Sequence, residues 1–433
     1  MDGYVTILLV LGAMTVLQGV SRQLKVSSTM LLILVGLAFG FIPSMSLLQI
    51  RPDVIFLLFL PPLLFEATFN ISFRDFRENI DTIAALAFGL VFITTAGIAV
   101  IAHYMIPGMT WPLAFVLGSA LAATDAVAAI SITRNLGMTK LAATILESES
   151  LINDASALVA YQFAVAAVAG TAFVWWDAIL SFGILMLGGV LTGAVVFILF
   201  RFFLRIVWSQ ELALLSLILL LPFVTYLIAE EAKVSGVLAV VSLGFGFTQL
   251  SARAFPDNVK QSSKTIWNIV VFLLNGLIFI LIGIEFPLVL KSINRELWLP
   301  YIGYAFIITV VALIIRSARV VLQRKKLVSS FRHSRFGGKV SKNMLLSFQD
   351  GVIISWSGMR GIVSLAMAIS IPTMLDASTP FPMRNEIIFI TTAVVLFTIL
   401  GQGLLLPLIL KRIRKIDGSS TATNATANES PGI

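Results

Sequence analysis

Long apolar stretches alternate with short polar ones along the whole chain. Runs of the roughly 17–25 residues that a helix needs to cross a bilayer fall near 4–20, 26–43, 54–70, 80–103, 112–133, 142–170, 176–200, 210–229, 234–250, 265–287, 298–318, 351–373 and 385–409. This pattern predicts an all-α polytopic membrane protein of about thirteen transmembrane helices. The opening MDGYVTILLV has no basic residue ahead of its apolar run, and Arg22 and Lys25 follow it, so it reads as a first span and not as a signal peptide. A transmembrane domain is expected over 1–415. The polar, aromatic-free remainder, 416–433, is expected to be a short disordered tail.

Two of these spans are interrupted. Span 5 reads FVLGSALAATDAVAAISI, with Thr124 and Asp125 near its middle, and span 12 reads GVIISWSGMRGIVSLAMAIS, with Ser357, Gly358, Arg360 and Gly361 breaking an apolar run. An inverted repeat of six helices plus one connector puts spans 5 and 12 at corresponding positions, and paired broken helices mark the site of a secondary transporter. Helix termini that meet at mid-membrane leave facing dipoles to be compensated. Asp125 and Arg360 have suitable signs for that.

Composition agrees with the pattern. Hydrophobic residues make up 58% and charged residues 12% of the 433, with a mean hydropathy of +0.99; soluble domains carry about twice that charge. A soluble enzyme is excluded. The absence of cysteine rules out disulfides and thiolate metal sites, and two histidines leave little for a His-based one. No cofactor is expected.

The net charge of +8 reads as topology and not as nucleic-acid binding. With the N-terminus outside, 24 of the 30 basic residues fall on inner loops, five outside, and Arg360 within a span. The positive-inside rule then sets N-out and C-in. The basic stretch 324–343 is expected to be an inner loop between spans 11 and 12, in contact with anionic headgroups. Asn424 and Asn428 match the glycosylation pattern but fall on the inner side.

Ionisable residues inside apolar spans are costly and mark function by default. Here they are Glu66, Asp125, Glu147, Glu149, Asp154 and Arg360, while Glu230 and Glu285 lie nearer span ends. Span 6 is the densest: Glu147, Ser150 and Asp154 share one helical face, and Glu149 and Asn153 line the adjoining one. Glu147 and Glu149 read equally well as structural ion pairs. Asp154 reads as functional because Arg360 is the one basic residue placed deep in a span. Arg360 pairs with Glu149 in this reading, which leaves Asp154 free to titrate. A carboxylate desolvated in a bundle without a cationic partner favours its neutral form and can exchange a proton for a metal cation. Hard oxygen ligands suit small monovalent cations. Glu66, one turn after Pro61 and Pro62, is either a further ligand or a structural acid, and His103 and His333 have no visible partner.

At these residues the chain resembles the monovalent cation:proton antiporters of the NhaP and sodium/proton exchanger branch. The matching stretches are LPPLLFEA (60–67), ATDAVAAISI (123–132), LESESLINDASALV (146–159), AEEAKVSGVLAVV (229–241), LNGLIFILIGIEFP (274–287) and GMRGIVSLAMAISIP (358–372). The resemblance implies that Asp154 is the cation- and proton-binding carboxylate and Asn153 its Asn-Asp partner. Thr124 and Asp125 would belong to an unwound crossing, Ser150 and Glu66 would assist Na+ binding, and Glu149 with Arg360 would form a buried ion pair. It also implies a homodimer with separate core and dimerisation regions. Ser148 stands where a glycine is common, and Ala126 replaces the usual proline after Thr-Asp.

The expected function is exchange of Na+, with Li+ or K+ as alternatives, for H+ by alternating access in the plasma (inner) membrane, serving pH homeostasis. Asn153 stands where the commonly electrogenic branch has a second aspartate, so one titrating acid implies electroneutral 1:1 exchange. A K+-selective K+/H+ antiporter is one alternative. A cation channel is another, distinguished by the lack of proton counterflow; no TVGYG-type filter occurs in the chain. A membrane aspartyl protease using Asp125 and Asp154 would need both acids in apposition and a cleavable substrate.

Overall fold

A computed structural model of the protein describes residues 3–24, 28–42, 52–133, 138–170, 175–208, 210–333, 346–375 and 379–412. Among them the chain is almost entirely helical, with one isolated β-bridge between Met374 and Pro380. In order, the helices are α1 (Gly3–Leu24), α2 (Ser28–Gly40), α3 (Pro52–Asn70), α4 (Phe73–Glu78) and α5 (Ile80–Ala84). A π-helical turn, Ala85–Leu90, joins α5 to α6 (Val91–Met105). Next come α7 (Trp111–Ala120), α8 (Ala126–Thr133), α9 (Lys140–Val168), α10 (Trp175–Val207), α11 (Glu211–Glu231) and α12 (Gly236–Ala254). The last are α13 (Asp257–Lys291), α14 (Arg295–His333), α15 (Phe348–Trp356), α16 (Ile362–Ile369) and α17 (Arg384–Leu396), the last running on through a π turn, Phe397–Gln402.

Eight described helices are long and apolar enough to cross a membrane. The chain is an integral, multi-pass membrane protein. Shorter apolar helices cover 28–40, 56–69 and 111–120. α3 continues through Pro61 and Pro62.

α9 lies at the centre, packed against α3, α7, α8, α12, α15 and α16. Its sequence accounts for this place: Ala142, Ser148, Ala155, Ser156 and Ala157 are small and buried, so neighbouring helices approach closely. α2 and α13 cross at equally short range, because a Cβ on Gly36 would collide with the Ile280 carbonyl and one on Gly283 with that of Ile33. Peripheral α10 has the opposite character. Its Ile179, Leu187, Leu191, Ile198 and Phe202 are exposed, an apolar surface that water cannot cover but a bilayer can.

Two expectations need correction or placement, and one element was not expected. The basic stretch 324–343 is not a loop throughout: α14 carries on as helix to His333, since LQRKKLVSSFRH holds neither Gly nor Pro and is rich in helix formers. The short amphipathic helix α4, capped by Ser72 accepting from the Asp75 N–H, has no counterpart in the span list. The tail 416–433, with Asn424 and Asn428, lies outside the described residues.

Candidate functional site

Both interrupted spans are broken where their sequences predict. α7 ends at Ala120 and α8 starts at Ala126, while α15 ends at Trp356 and α16 starts at Ile362. The two non-helical segments meet: the Asp125 N–H donates to the Met359 carbonyl at 2.8 Å. Ser364 adds a longer bond, 3.4 Å, to the Ala123 carbonyl.

Four helix ends therefore converge, and two opposite charges sit among them. Arg360, 2% exposed, donates through Nε to the Leu121 carbonyl at 2.8 Å and through a terminal nitrogen to the Gly358 carbonyl. Those carbonyls belong to the C-terminal ends of α7 and α15, the negative ends of their dipoles. Asp125 serves the positive ends. Its Oδ1 accepts from the Val127 N–H at 2.8 Å in the first turn of α8, and its carboxylate lies against Gly361 at the start of α16, where a Cβ would overlap it. Only glycine permits that approach. Thr398, in the π turn after α17, accepts from the Arg360 N–H at 3.0 Å. The dipole compensation expected from the signs of Asp125 and Arg360 is thus observed in contacts.

α9 supplies the next layer. Ser150 Oγ donates to the Thr124 carbonyl at 2.9 Å and accepts from the Ala126 N–H at 3.4 Å, and Asn153 Nδ2 donates to Thr124 Oγ1 at 2.6 Å. The unwound part of span 5 is thereby strapped to α9 on both sides of Asp125. A proline at 126 could not make the second Ser150 bond.

Beside this crossing lies a cavity of about 520 Å³. Its polar lining includes Glu66 from α3, Thr124 and Asp125 from the break, and Glu147, Ser150 and Asp154 from α9, and it extends to Thr139 and Lys140 at the start of α9. Lys140 is held at that end by Asp75 of α4, at 2.8 Å. Asp154 is only 7% exposed and forms no ion pair among the described residues. The cavity offers carboxylate, hydroxyl and carbonyl oxygens in one place, the donor set a small hard cation takes. Among the described residues no group of three or more His, Cys, Asp or Glu side chains is arranged to hold a metal ion.

Five of the predicted ligand residues, Glu66, Thr124, Asp125, Ser150 and Asp154, come together here. Asn153 does not join them. It is turned to the far side of Thr124, into a tight polar space shared with Glu149, Arg316 and Arg360. Its Oδ1 is buried there without a hydrogen-bond partner.

The predicted Glu149–Arg360 ion pair is not formed. Glu149 is gripped instead by Arg316 of α14, at 2.5 Å from Nη1 to Oε1 and 2.9 Å from Nη2 to Oε2, with the two side chains 1% and 2% exposed. The Arg316 Nε also donates to the Ile354 carbonyl of α15 at 2.8 Å. A bidentate guanidinium matches carboxylate geometry, whereas Arg360 has its donors committed to helix-end carbonyls. Arg316 falls where span 11 turns polar, so hydropathy alone assigns it to the inner loop. Its signal was that RSARVVLQ continues the helix, which carries the side chain inward. Asn275 of α13 also lines the cavity; a lone amide in an apolar run carries neither a charge nor a break to mark it. His103, beyond the site, has Nδ1 2.7 Å from the Met109 carbonyl and stacks on Trp111.

Two broken helical spans thus meet beside a carboxylate-lined cavity. The chain belongs to the sodium/hydrogen exchanger, transmembrane family, whose profile it matches over residues 6–412. It is 36% identical over 388 residues to a sodium, potassium, lithium and rubidium/H+ antiporter of Bacillus pumilus, covering 86% of this chain and 56% of that protein. It is 33% identical over 420 residues to the antiporter so named in Bacillus subtilis, covering 94% and 62%. The chain thus spans less than two thirds of the length of these relatives. Among solved structures, the sodium proton antiporter MjNhaP1 of Methanocaldococcus jannaschii has the same fold, with a TM-score of 0.65 at 20% identity over 94% of this chain and 97% of that one.

Proposed function

We propose that this protein exchanges Na+, with Li+ and K+ as alternative substrates, for H+ by alternating access, with Asp154 as the shared binding group. The observation that carries this reading is the cavity lined by the buried Asp154, which forms no ion pair among the described residues, beside the junction of four helix ends. A carboxylate there holds one proton or one cation, and competition between them is sufficient for coupling. One such acid gives 1:1, electroneutral exchange. Glu66, Ser150 and Thr124 complete the oxygen shell, and Asn153 holds Thr124 in place.

The wider architecture proposed is thirteen crossings with an inverted six-helix repeat, N-terminus outside, in the plasma membrane, and a homodimer whose scaffold the core helices move past. In that orientation the Lys140 end of the cavity faces the cytoplasm, so the conformation is inward-facing. The test is ΔpH dissipation in proteoliposomes on adding Na+, Li+ or K+, with Asp154→Asn alongside and a valinomycin clamp. Voltage-insensitive, cation-dependent proton flux that Asp154→Asn abolishes supports the proposal; wild-type flux from Asp154→Asn overturns it. Cation flux without proton counterflow would instead favour a channel.

A further inference from the structure

The cavity wall opposite the charged face of α9 includes one polar side chain with no assigned role. Asn275, Ile278 and Phe279 of α13 line it together, at i, i+3 and i+4 and so on one helical face. Two are apolar and buried. Asn275 is the polar one, and among the described residues its side chain makes no hydrogen bond to protein.

The placement is costly unless something in the cavity meets the amide. Asn275 stands midway along a 35-residue helix, in the apolar run IVVFLLNGLIFILIG, half-buried on the cavity wall, where an amide is costly unless water or an ion in the cavity meets it. Packing does not demand it: the neighbouring Gly276 is the residue fitted against α1, where a Cβ would overlap Met14. Asp154 likewise stands at the middle of its own helix, Lys140–Val168. Two polar groups on different helices, both at mid-membrane, thus line one cavity.

We propose that Asn275 supplies a neutral amide oxygen to the cation held at Asp154 and sets which monovalent cation the site prefers. This rests on the exchange reading above. An amide oxygen adds coordination without adding charge, so it completes the shell of a dehydrated ion and leaves the proton stoichiometry at one. Where the protein supplies that ligand, the ion must shed a water to bind. Where it does not, water stays, and ions of different hydration cost are less well distinguished.

The experiment compares wild type, Asn275→Leu and Asn275→Asp, each checked for monodispersity in detergent, by isothermal titration with Na+, Li+ and K+ and by ΔpH dissipation in proteoliposomes. Leu is close to Asn in size and apolar, and loss of one ligand to a charged group weakens binding by about tenfold. Asn275→Leu is therefore expected to raise the Na+ Kd and KM by about tenfold and to narrow the spread among the three cations, while Asn275→Asp, which keeps an oxygen in place, binds at least as tightly as wild type. Wild-type Kd values and selectivity in Asn275→Leu overturn the inference, as does an Asn275→Asp protein impaired as much as the Leu variant, the pattern of a structural role. The titration reads Asn275 even if wild-type liposomes show no proton flux, an outcome that would sink the exchange reading alone.

Discussion

Glu149 and Arg316, 167 residues apart in sequence, form a two-bond ion pair at 2.5 and 2.9 Å in a place from which water is excluded. The pair joins α9, which carries Asp154, to α14, and through the Ile354 carbonyl to α15 on the near side of the second break. It therefore fixes the helix of the proposed carrier against the crossing.

Removing one partner leaves a buried charge, which costs about 3–5 kcal/mol. Arg316→Met is expected to lose most of the folded protein, seen as a lowered melting temperature and aggregation in size exclusion. Glu149→Gln leaves a hydrogen-bonding amide and should be milder. The double variant Glu149→Leu/Arg316→Met should recover stability relative to Arg316→Met, and a double variant no more stable than the single one would count against an ion pair as the cause.

Arg360 has a different task, and its loss should differ accordingly. Arg360→Ala strips donors from the Leu121 and Gly358 carbonyls and a positive charge from two helix C-termini. About 1–3 kcal/mol per unsatisfied buried carbonyl is at stake. The expected result is destabilisation that Glu149→Gln does not relieve. Thermal melts of the two single variants and the double variant decide this: relief by Glu149→Gln would return Arg360 to the role first expected of it.

Asp154 makes no ion pair among the described residues, so Asp154→Asn should fold as well as wild type while losing exchange. Its melting temperature is expected within a few degrees of wild type. A large drop would mean that Asp154 is structural.

Competition at one carboxylate sets the pH dependence. As pH falls through the titration of that group, protons occupy it and the apparent KM for the cation rises, by about tenfold per pH unit once the protonated form dominates. At high pH the proton becomes scarce and turnover falls, so the rate profile is bell-shaped. Initial rates across a cation series at fixed pH values measure both limbs, and a cation KM independent of pH would rule out competition.

Ala126 occupies the first position of α8, where proline is well tolerated. Ala126→Pro is expected to fold and to transport, losing only the 3.4 Å bond to Ser150 and changing the cation KM by less than about threefold. Inactivity in a well-folded Ala126→Pro protein would show that this long bond matters to the site.

The membrane class, the apolar stretches, the two breaks and the α9 carboxylates were legible in the sequence because each depends on residues near one another in the chain. Periodicity alone placed Ser150 and Asp154 on one face, and polar interruption alone located Asp125 and Arg360. The family profile, matched over 6–412, agrees with what those motifs implied. Partner choice was not legible. Arg316 sits where span 11 turns polar and looked like the first charge of a loop, although the helix carries it inward to Glu149.

By itself, then, the sequence determined that this is a multi-pass helical membrane protein with two interrupted spans and acids where lipid cannot be their neighbour, since hydrophobic length and helical period are local properties. Only the tertiary structure decided that Arg316 and not Arg360 neutralises Glu149, that Asn153 faces away from the cavity, and that Asn275 faces into it. Those outcomes depend on which helices pack together and at what rotation. Packing sums contacts over the whole bundle, and no local stretch of sequence contains that sum.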